Sequence, residues 1–343
     1  MSKISRRSFV PMLGTALVGA SCLSFENDIL ESVADGIILP KRLKRGDKIG
    51  ICAPAGPIRD ISEVNGFVQV LKDLGFKVKV GKNVTGQFGF FSANDKARAE
   101  EFMELVEDDT LQGIFSIRGG WGCARMIEFL DFDVIQKNPK VIMGFSDMTT
   151  LLNAISSKTG LVTYHGPSGN STWNDYSVDY IKRLLLKAES VTYRNTSPLD
   201  ASITTLSSGK ASGALYGGNL SVISSLVGSD YLPDWKGKIL FLEDVNEEPY
   251  RIDRMLTQLK LAGIFSKVNG IVLGGFRKCY AEEPNRSFTL EEVFEQHFTQ
   301  LKIPVYSGAQ IGHIRNKYTV PVGLTVHMNA DEGTFQLEHP AVY

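Results

Sequence analysis

The 343-residue sequence predicts an α/β protein, with an N-terminal parallel sheet flanked by helices and a smaller C-terminal α+β half. Three observations predict it. Residues 46–167 alternate short apolar runs with stretches of helical spacing, the pattern of strands and crossover helices in a parallel sheet. That alternation stops at a connector around 195–210 rich in Ser, Thr and Pro. Beyond it, strands follow one another with fewer helices between them. The length, with 43% hydrophobic residues, is enough for two cores.

Ile49, Ile51 and Ala53 mark a strand that Pro54, Gly56 and Pro57 break. Residues 61–74 carry Val64, Phe67, Val70 and Leu71 at helical spacing, and Gly75 ends that helix. FKVKV alternates like a strand, and 94–107 form a second amphipathic helix with Asn94 as its cap. GIFSI at 113–117 is a buried strand running into Arg118-Gly119-Gly120-Trp121-Gly122, with a helix starting near Cys123. KVIMGF at 140–145 is a strand, 147–157 a helix, and LVTYHGP at 161–167 a strand ending in a turn. The second half opens with GALYGGNL (213–220) and GKILFLEDV (237–245), then a helix at 250–261. A strand at 270–276, a helix at 289–301 and strands at 320–328 and 334–338 complete it.

Residues 1–30 read as a leader rather than fold. Lys3, Arg6 and Arg7 precede a short apolar stretch at 9–20, and the SRRSF core resembles a twin-arginine export signal. Gly19, Ala20 and Ser21 offer a cleavage site, and the expectation is an exported, periplasmic protein. Lipid anchoring at Cys22 and a cytoplasmic protein with a non-functional leader are the alternatives. The expected organisation is leader 1–30, α/β domain 45–190, linker 191–210 and C-terminal domain 211–343.

Composition excludes some classes. Thirty-seven basic and 38 acidic residues leave a net charge of −1, so no global field holds nucleic acid or an anionic membrane. No membrane-spanning segment is expected once the leader is removed. Cys22, Cys52, Cys123 and Cys279 form no CxxC pair, which argues against zinc and for buried free thiols.

The chemistry concentrates in a few segments. In VIMGFSDMTT a buried strand meets a helix at Ser146, where free N–H groups and the positive end of the helix dipole favour developing negative charge. Met148 stands where G-x-S-x-G has its second glycine, and the same serine would serve as a helix N-cap. A serine nucleophile needs a base. Of five histidines, His165 at a strand end and His313 in the loop GAQIGHIRN stand where sites form, and the residues alone leave both open. His297 falls in a polar helical stretch, His327 alternates towards solvent, and His339 is near the C-terminus. Glu243 is the first charge at the carboxyl end of the apolar run Ile239–Leu242 and must be paired or used. Asp244, Glu247 and Glu248 are its rivals, Arg251 and Arg254 make a salt-bridge cluster an alternative, and the spacings of metal ligands are absent. Adjacent glycines in IRGGWGCAR permit close backbone approach and oxyanion donors, or an ordinary βα turn, and no nucleotide loop is present.

Taken together these blocks resemble the LD-carboxypeptidases, serine peptidases of the muramoyl-tetrapeptide carboxypeptidase type. GDKIGICAPAG, FSIRGGWGCARMIEFLDF, PKVIMGFSDMTTLL, HGP, YGGNLSVISSLVGS, ILFLEDVNEEPYRIDRMLTQLKLAG, GIVLGGF and the IGH loop carry the resemblance over about residues 45–343. It implies a flavodoxin- or glutaminase-like first domain, a barrel-like second domain and an active site between them. It implies Ser146 as nucleophile, Glu243 as acid, His313 as base, and the N–H groups of Asp147 and Gly120 as oxyanion donors. It implies no cofactor and no metal. The implied substrate is a murein tetrapeptide that releases terminal D-alanine, and a homodimer is what the family suggests. Arg118, Trp121 and Arg315 flank the implied site as candidate substrate contacts, the arginines suiting a terminal carboxylate or a structural ion pair. The alternatives are an immunity-type peptidase of the same superfamily acting on a peptide–nucleotide antibiotic, which RGGWG disfavours, and an inactive muropeptide-binding module.

Overall fold

Apolar runs too short for helices build the first sheet in the computed structural model, which describes residues 36–196 and 201–343. The leader, with Cys22, and part of the expected linker lie outside the described residues. Strands β1 (Lys48–Cys52), β2 (Lys77–Val80), β3 (Gly113–Ser116), β4 (Val141–Gly144) and β5 (Thr163–His165) pair in parallel in the order β5-β4-β3-β1-β2. Between them run α1 (Ile61–Asp73), α2 (Asp95–Glu107), α3 (Cys123–Met126), α4 (Phe132–Lys137) and α5 (Thr149–Thr159). Side chains of Asp60, Asn94 and Asp131 cap α1, α2 and α4, satisfying N–H groups that a helix start leaves free. The strand order reverses direction between β1 and β3, and crevices at such switch points, at the carboxyl ends of strands, are where open α/β sheets bind ligands.

After α6 (Asp175–Ile181) the chain builds a second, mixed and curled sheet of eight strands. Its members are β6 (Thr192–Tyr193), β7 (Thr204–Ser207), β8 (Lys210–Asn219), β9 (Ile239–Val245), β10 (Gly270–Arg277), β11 (Val305–Gly312), β13 (Thr325–Asn329) and β14 (Thr334–Leu337). β12 (Val320–Val322) leaves this sheet and pairs antiparallel with β5 at the edge of the first. Helices α7 (Leu220–Leu226), α8 (Pro249–Leu261) and α9 (Leu290–Phe298) complete the second half.

Three sequence expectations change. The single strand expected at 320–328 is two strands in different sheets, divided at Gly323, which holds a φ of 97°. Pro321, lacking an N–H, suits β12 to an edge position. β11 escaped notice because Ser307, Gly308 and Gln310 dilute its apolar signal, although it is hydrogen-bonded on both sides. His297, expected in a polar stretch, is buried with Nε2 2.7 Å from Asp253 Oδ1. Among the described residues no helix is long and apolar enough to cross a membrane.

The sheets are stitched where the candidate residues lie. α5, which follows Ser146, is buried along most of its length. Its Asn153 donates to the Gly217 carbonyl (2.8 Å) and accepts from the Gly217 N–H (3.2 Å), and its Thr149 hydroxyl accepts from the Asn219 N–H (3.0 Å). β8, which carries Gly217 and Asn219, pairs with β9, and Asn219 lies opposite Glu243. Three hydrogen bonds thus tie the helix behind the serine to the strand beside the glutamate.

Candidate active site

Ser146 sits between β4 and α5 at the start of a short 3₁₀ turn, Ser146–Met148, with a φ of 63°. A non-glycine residue there is uncommon, and the strain of a left-handed backbone is what lifts a nucleophile out of a strand-to-helix turn. The capping alternative does not describe it, because the Ser146 hydroxyl has no hydrogen bond among the described residues. The turn needs close company. A Cβ at Gly119 would lie 2.7 Å from Ser146 Cβ and 2.9 Å from its Oγ, so only glycine lets that backbone lie against the serine.

The loop from Arg118 to Gly122 is anchored at several points. Asp147, buried, accepts the Cys123 N–H at 2.8 Å, so the residue after the serine caps the helix that the loop enters. Gly119 accepts the Gly56 N–H at 3.2 Å. The buried Arg98 guanidinium donates to the carbonyls of Pro54 and of Gly122 (2.9 Å) and pairs with Asp95. The N–H groups of Asp147 and Gly120 find no acceptor among the described residues. Two free donors beside a serine suit a developing oxyanion.

The second sheet supplies the titratable pair. Glu243, near the end of β9, is fully buried, and its Oε2 lies 2.7 Å from His313 Nδ1 and accepts the His313 N–H at 3.3 Å. Burial on its own would push the Glu243 carboxyl up, but the charge of His313 and the two imidazoles beside it outweigh burial and hold it down at about 2. His313 keeps its side chain 17% exposed and its Nε2 without a partner among the described residues. Its ring packs 4.7 Å from that of Phe145, the residue before Ser146. Gly312, at a φ of 106°, makes the bend possible, since a Cβ there would fall 2.3 Å from Glu243 Oε2.

His165, the other candidate base, approaches the same carboxylate. Its Nε2 is 3.9 Å from Glu243 Oε1, and the ring is buried. Asp244, one residue along the strand, turns to the opposite side. It accepts from Asn219 Nδ2 (3.0 Å) and from the N–H and hydroxyl of Ser221 (2.9 and 2.7 Å), and burial and the Glu243 charge raise its carboxyl to about 6. The acidic rivals therefore separate: Asp244 secures α7, while Glu243 faces the imidazoles. Glu247 pairs with Arg251, and Glu248 accepts from the Glu282 N–H.

Of the candidate substrate contacts, Arg118 donates to the Pro57 carbonyl at 2.7 Å, Trp121 is 46% exposed, and Arg315 is exposed with its carbonyl accepting from Asn174. The cation that sequence reasoning missed is Lys317. It is buried, with its Nζ 5.2 Å over the Phe145 ring and no acceptor among the described residues, and burial lowers its ammonium to about 8. A lysine in a polar loop gives no sequence signal of such a position. Asn219, between the glycines of β8 and the start of α7, could have been found as an N-cap. Among the described residues no cluster of three metal-ligating side chains forms, and Cys52, Cys123 and Cys279 are buried free thiols.

Comparison with known proteins places this geometry among relatives. Residues 49–166 match the model of the LD-carboxypeptidase N-terminal domain, and residues 212–328 that of the LD-carboxypeptidase C-terminal domain. A probable murein peptide carboxypeptidase of Bacillus subtilis is 37% identical over 307 residues, covering 87% of this chain and 94% of the relative. The microcin C7 self-immunity protein MccF of Escherichia coli is 31% identical over 334 residues, covering 86% and 94%. Among solved structures, MccF in complex with glutamyl sulfamoyl guanosine superposes with a TM-score of 0.81 at 28% identity, over 89% of this chain and 99% of that one. A muramoyltetrapeptide carboxypeptidase from Oxalobacter formigenes gives 0.74 at 30% identity, over 84% and 97%.

Proposed function

The chain belongs to the LD-carboxypeptidase family, and from that premise we propose that it is a serine-type carboxypeptidase that releases terminal D-alanine from murein tetrapeptides. The observation that supports this most is a fully buried carboxylate hydrogen-bonded to a half-buried imidazole, whose ring packs on the residue preceding a serine of positive φ.

In this reading His313 Nε2 takes the proton of Ser146 as Oγ attacks the scissile carbonyl. Glu243 holds the Nδ1–H tautomer and stabilises the imidazolium that forms, as the acid does in other triads. The oxyanion accepts from the N–H groups of Asp147 and Gly120; losing one such donor costs about 10²–10³ in rate. His313 then protonates the amine of D-alanine, which leaves, and water attacks the acyl-enzyme with His313 again as base. The serine is restored and the tripeptide carries the new carboxylate.

The similarity to MccF, in sequence and structure, supports a second reading, an immunity-type peptidase acting on a peptide–nucleotide conjugate. One experiment separates the two. The protein is incubated with disaccharide-tetrapeptide or with a glutamyl sulfamoyl nucleoside, and products are read by mass spectrometry. Free D-alanine plus tripeptide is the expected result. Cleavage of the nucleoside substrate alone would transfer the assignment to the second reading, and binding without release from either would reduce the protein to a binding module. The twin-arginine-like leader adds the proposal that the enzyme acts outside the inner membrane, and uncleaved full-length protein in the cytosolic fraction would overturn that.

A further inference from the structure

Glu243 is satisfied on one oxygen only. Oε2 takes both contacts from His313, while Oε1 is buried and without a hydrogen-bond partner among the described residues. His165 Nε2 faces it at 3.9 Å and is also buried and unpartnered. The separation exceeds a hydrogen bond by about 1 Å. Leaving buried polar atoms unpaired is costly, so two such atoms facing one another point to an interaction poised to form.

His165 is held where this matters. Its backbone pairs with Gly144 of β4 and Val320 of β12, one strand residue being two positions before Ser146. Its ring is clasped edge-on by Phe145 at 6.1 Å and Phe241 at 5.3 Å, and Phe241 lies two positions before Glu243 on β9. The imidazole therefore spans from the serine's strand to the acid's strand. The other charged groups near this carboxylate are His313, Asp244 beside it, and Lys317, with Arg277 beyond and donating to the His313 carbonyl at 3.4 Å.

We propose that His165 is a positioning residue of the acid–base pair, its Nε2–H closing onto Glu243 Oε1 in the reacting complex so that the carboxylate is held between two imidazoles. The inference rests on the reading of Ser146, Glu243 and His313 given above. Catalytic hydrogen bonds are often long in the unliganded enzyme and tighten in the complex. A donor on Oε1 fixes the carboxylate plane and draws off part of its charge. Without it, His313 faces the undivided charge and its imidazolium is favoured. The acid limb of kcat/KM, set by His313 losing its proton, then moves to higher pH.

The test uses His165→Met, which keeps bulk and removes the donor, and His165→Gln, whose amide nitrogen stands near the Nε2 position. In His165→Met the expected result is kcat lower by about 10- to 100-fold, KM unchanged, and the acid limb raised by roughly half a pH unit or more. His165→Gln recovers most of kcat and the wild-type limb. A folded His165→Met with an unmoved limb, or Gln no better than Met, overturns the inference. If His165→Met does not fold, His165→Asn replaces it, because its amide reaches only the Nδ1 position; equal limbs in Asn and Gln variants overturn the inference. Ser146→Ala separates the two failures. An active Ser146→Ala refutes the serine reading itself, whereas an inactive Ser146→Ala together with an unmoved limb in folded His165→Met refutes only the role of His165.

Discussion

The serine turn and the acid–base pair are built by different means. Ser146, Asp147 and the loop from Arg118 to Gly122 belong to neighbouring βα units of one parallel sheet, and each is placed by its own strand end and turn. Glu243 and His313 are 70 residues apart and meet only because β9, β10 and β11 pair side by side, with the register of both pairings shifting after Leu273. The first region places its serine through local backbone strain, the second places its imidazole through tertiary alignment with a buried charge. Damage should follow the same division. On the proposed reading, changing the serine should remove chemistry and spare the fold, whereas changing the support of the glutamate should alter both activity and stability, since an ionised carboxylate out of water depends on its partners.

The largest expected effect lies on the serine side. Ser146→Ala should lower kcat by about 10⁴–10⁶ while leaving the melting temperature nearly unchanged, because alanine keeps the Cβ and the backbone turn and the hydroxyl it removes makes no hydrogen bond among the described residues. Steady-state kinetics and calorimetry would check both halves, and a large loss of stability would break the comparison. Gly312→Ala comes next and probes the other side. The new Cβ would crowd Glu243 Oε2 from a left-handed backbone, so kcat should fall by about 10² or more with a clear loss of stability. A stable, active Gly312→Ala protein would show that the pair tolerates misalignment. Asn153→Ala tests the stitch between the regions. It strands the Gly217 N–H and carbonyl, and should cost roughly 2–4 kcal/mol in denaturant unfolding. Its kcat should also fall, without a shift in the acid limb.

The same division governs what was legible in the sequence. The parallel sheet could be read because apolar runs and helical spacing are local, and the turn at Ser146 because strand and helix periods meet there. Its strain could not, since an αL serine looks like any N-cap in one dimension. Glu243 was marked as a charge ending an apolar strand, yet the choice of His313 over His165 came from resemblance alone. Geometry shows why the residues left both open: each imidazole faces one oxygen of the same carboxylate. The strand swap at Gly323 was hidden because VPVGLTVHM has one alternating period across two strands. Lys317 was hidden because the ring its ammonium lies over, Phe145, is more than 170 positions away in the chain.

Lys317 provides the smallest effect and the sharpest test of cost on the acid–base side. Burial lowers its ammonium from 10.5 to about 8, while Glu243 opposes that shift and Arg277 adds to it. Below pH 8 the lysine is charged in both folded and unfolded chains, so the fold carries the full cost of burying the charge. Between about 8 and 10.5 the folded protein loses the proton first and the unfolded chain binds more protons, so this group makes stability rise with pH. Lys317→Met should therefore stabilise the protein at neutral pH by up to roughly 3 kcal/mol, and the gain should shrink as pH climbs through that window. Urea unfolding of both proteins at several pH values reads the difference directly. A gain that stays constant with pH would mean that packing of the methionine, and not the buried charge, is responsible. A loss of stability at neutral pH would mean that the attraction between Lys317 and Glu243 exceeds the cost of burial, and the second region would then hold its charges as cooperatively as the first holds its backbone.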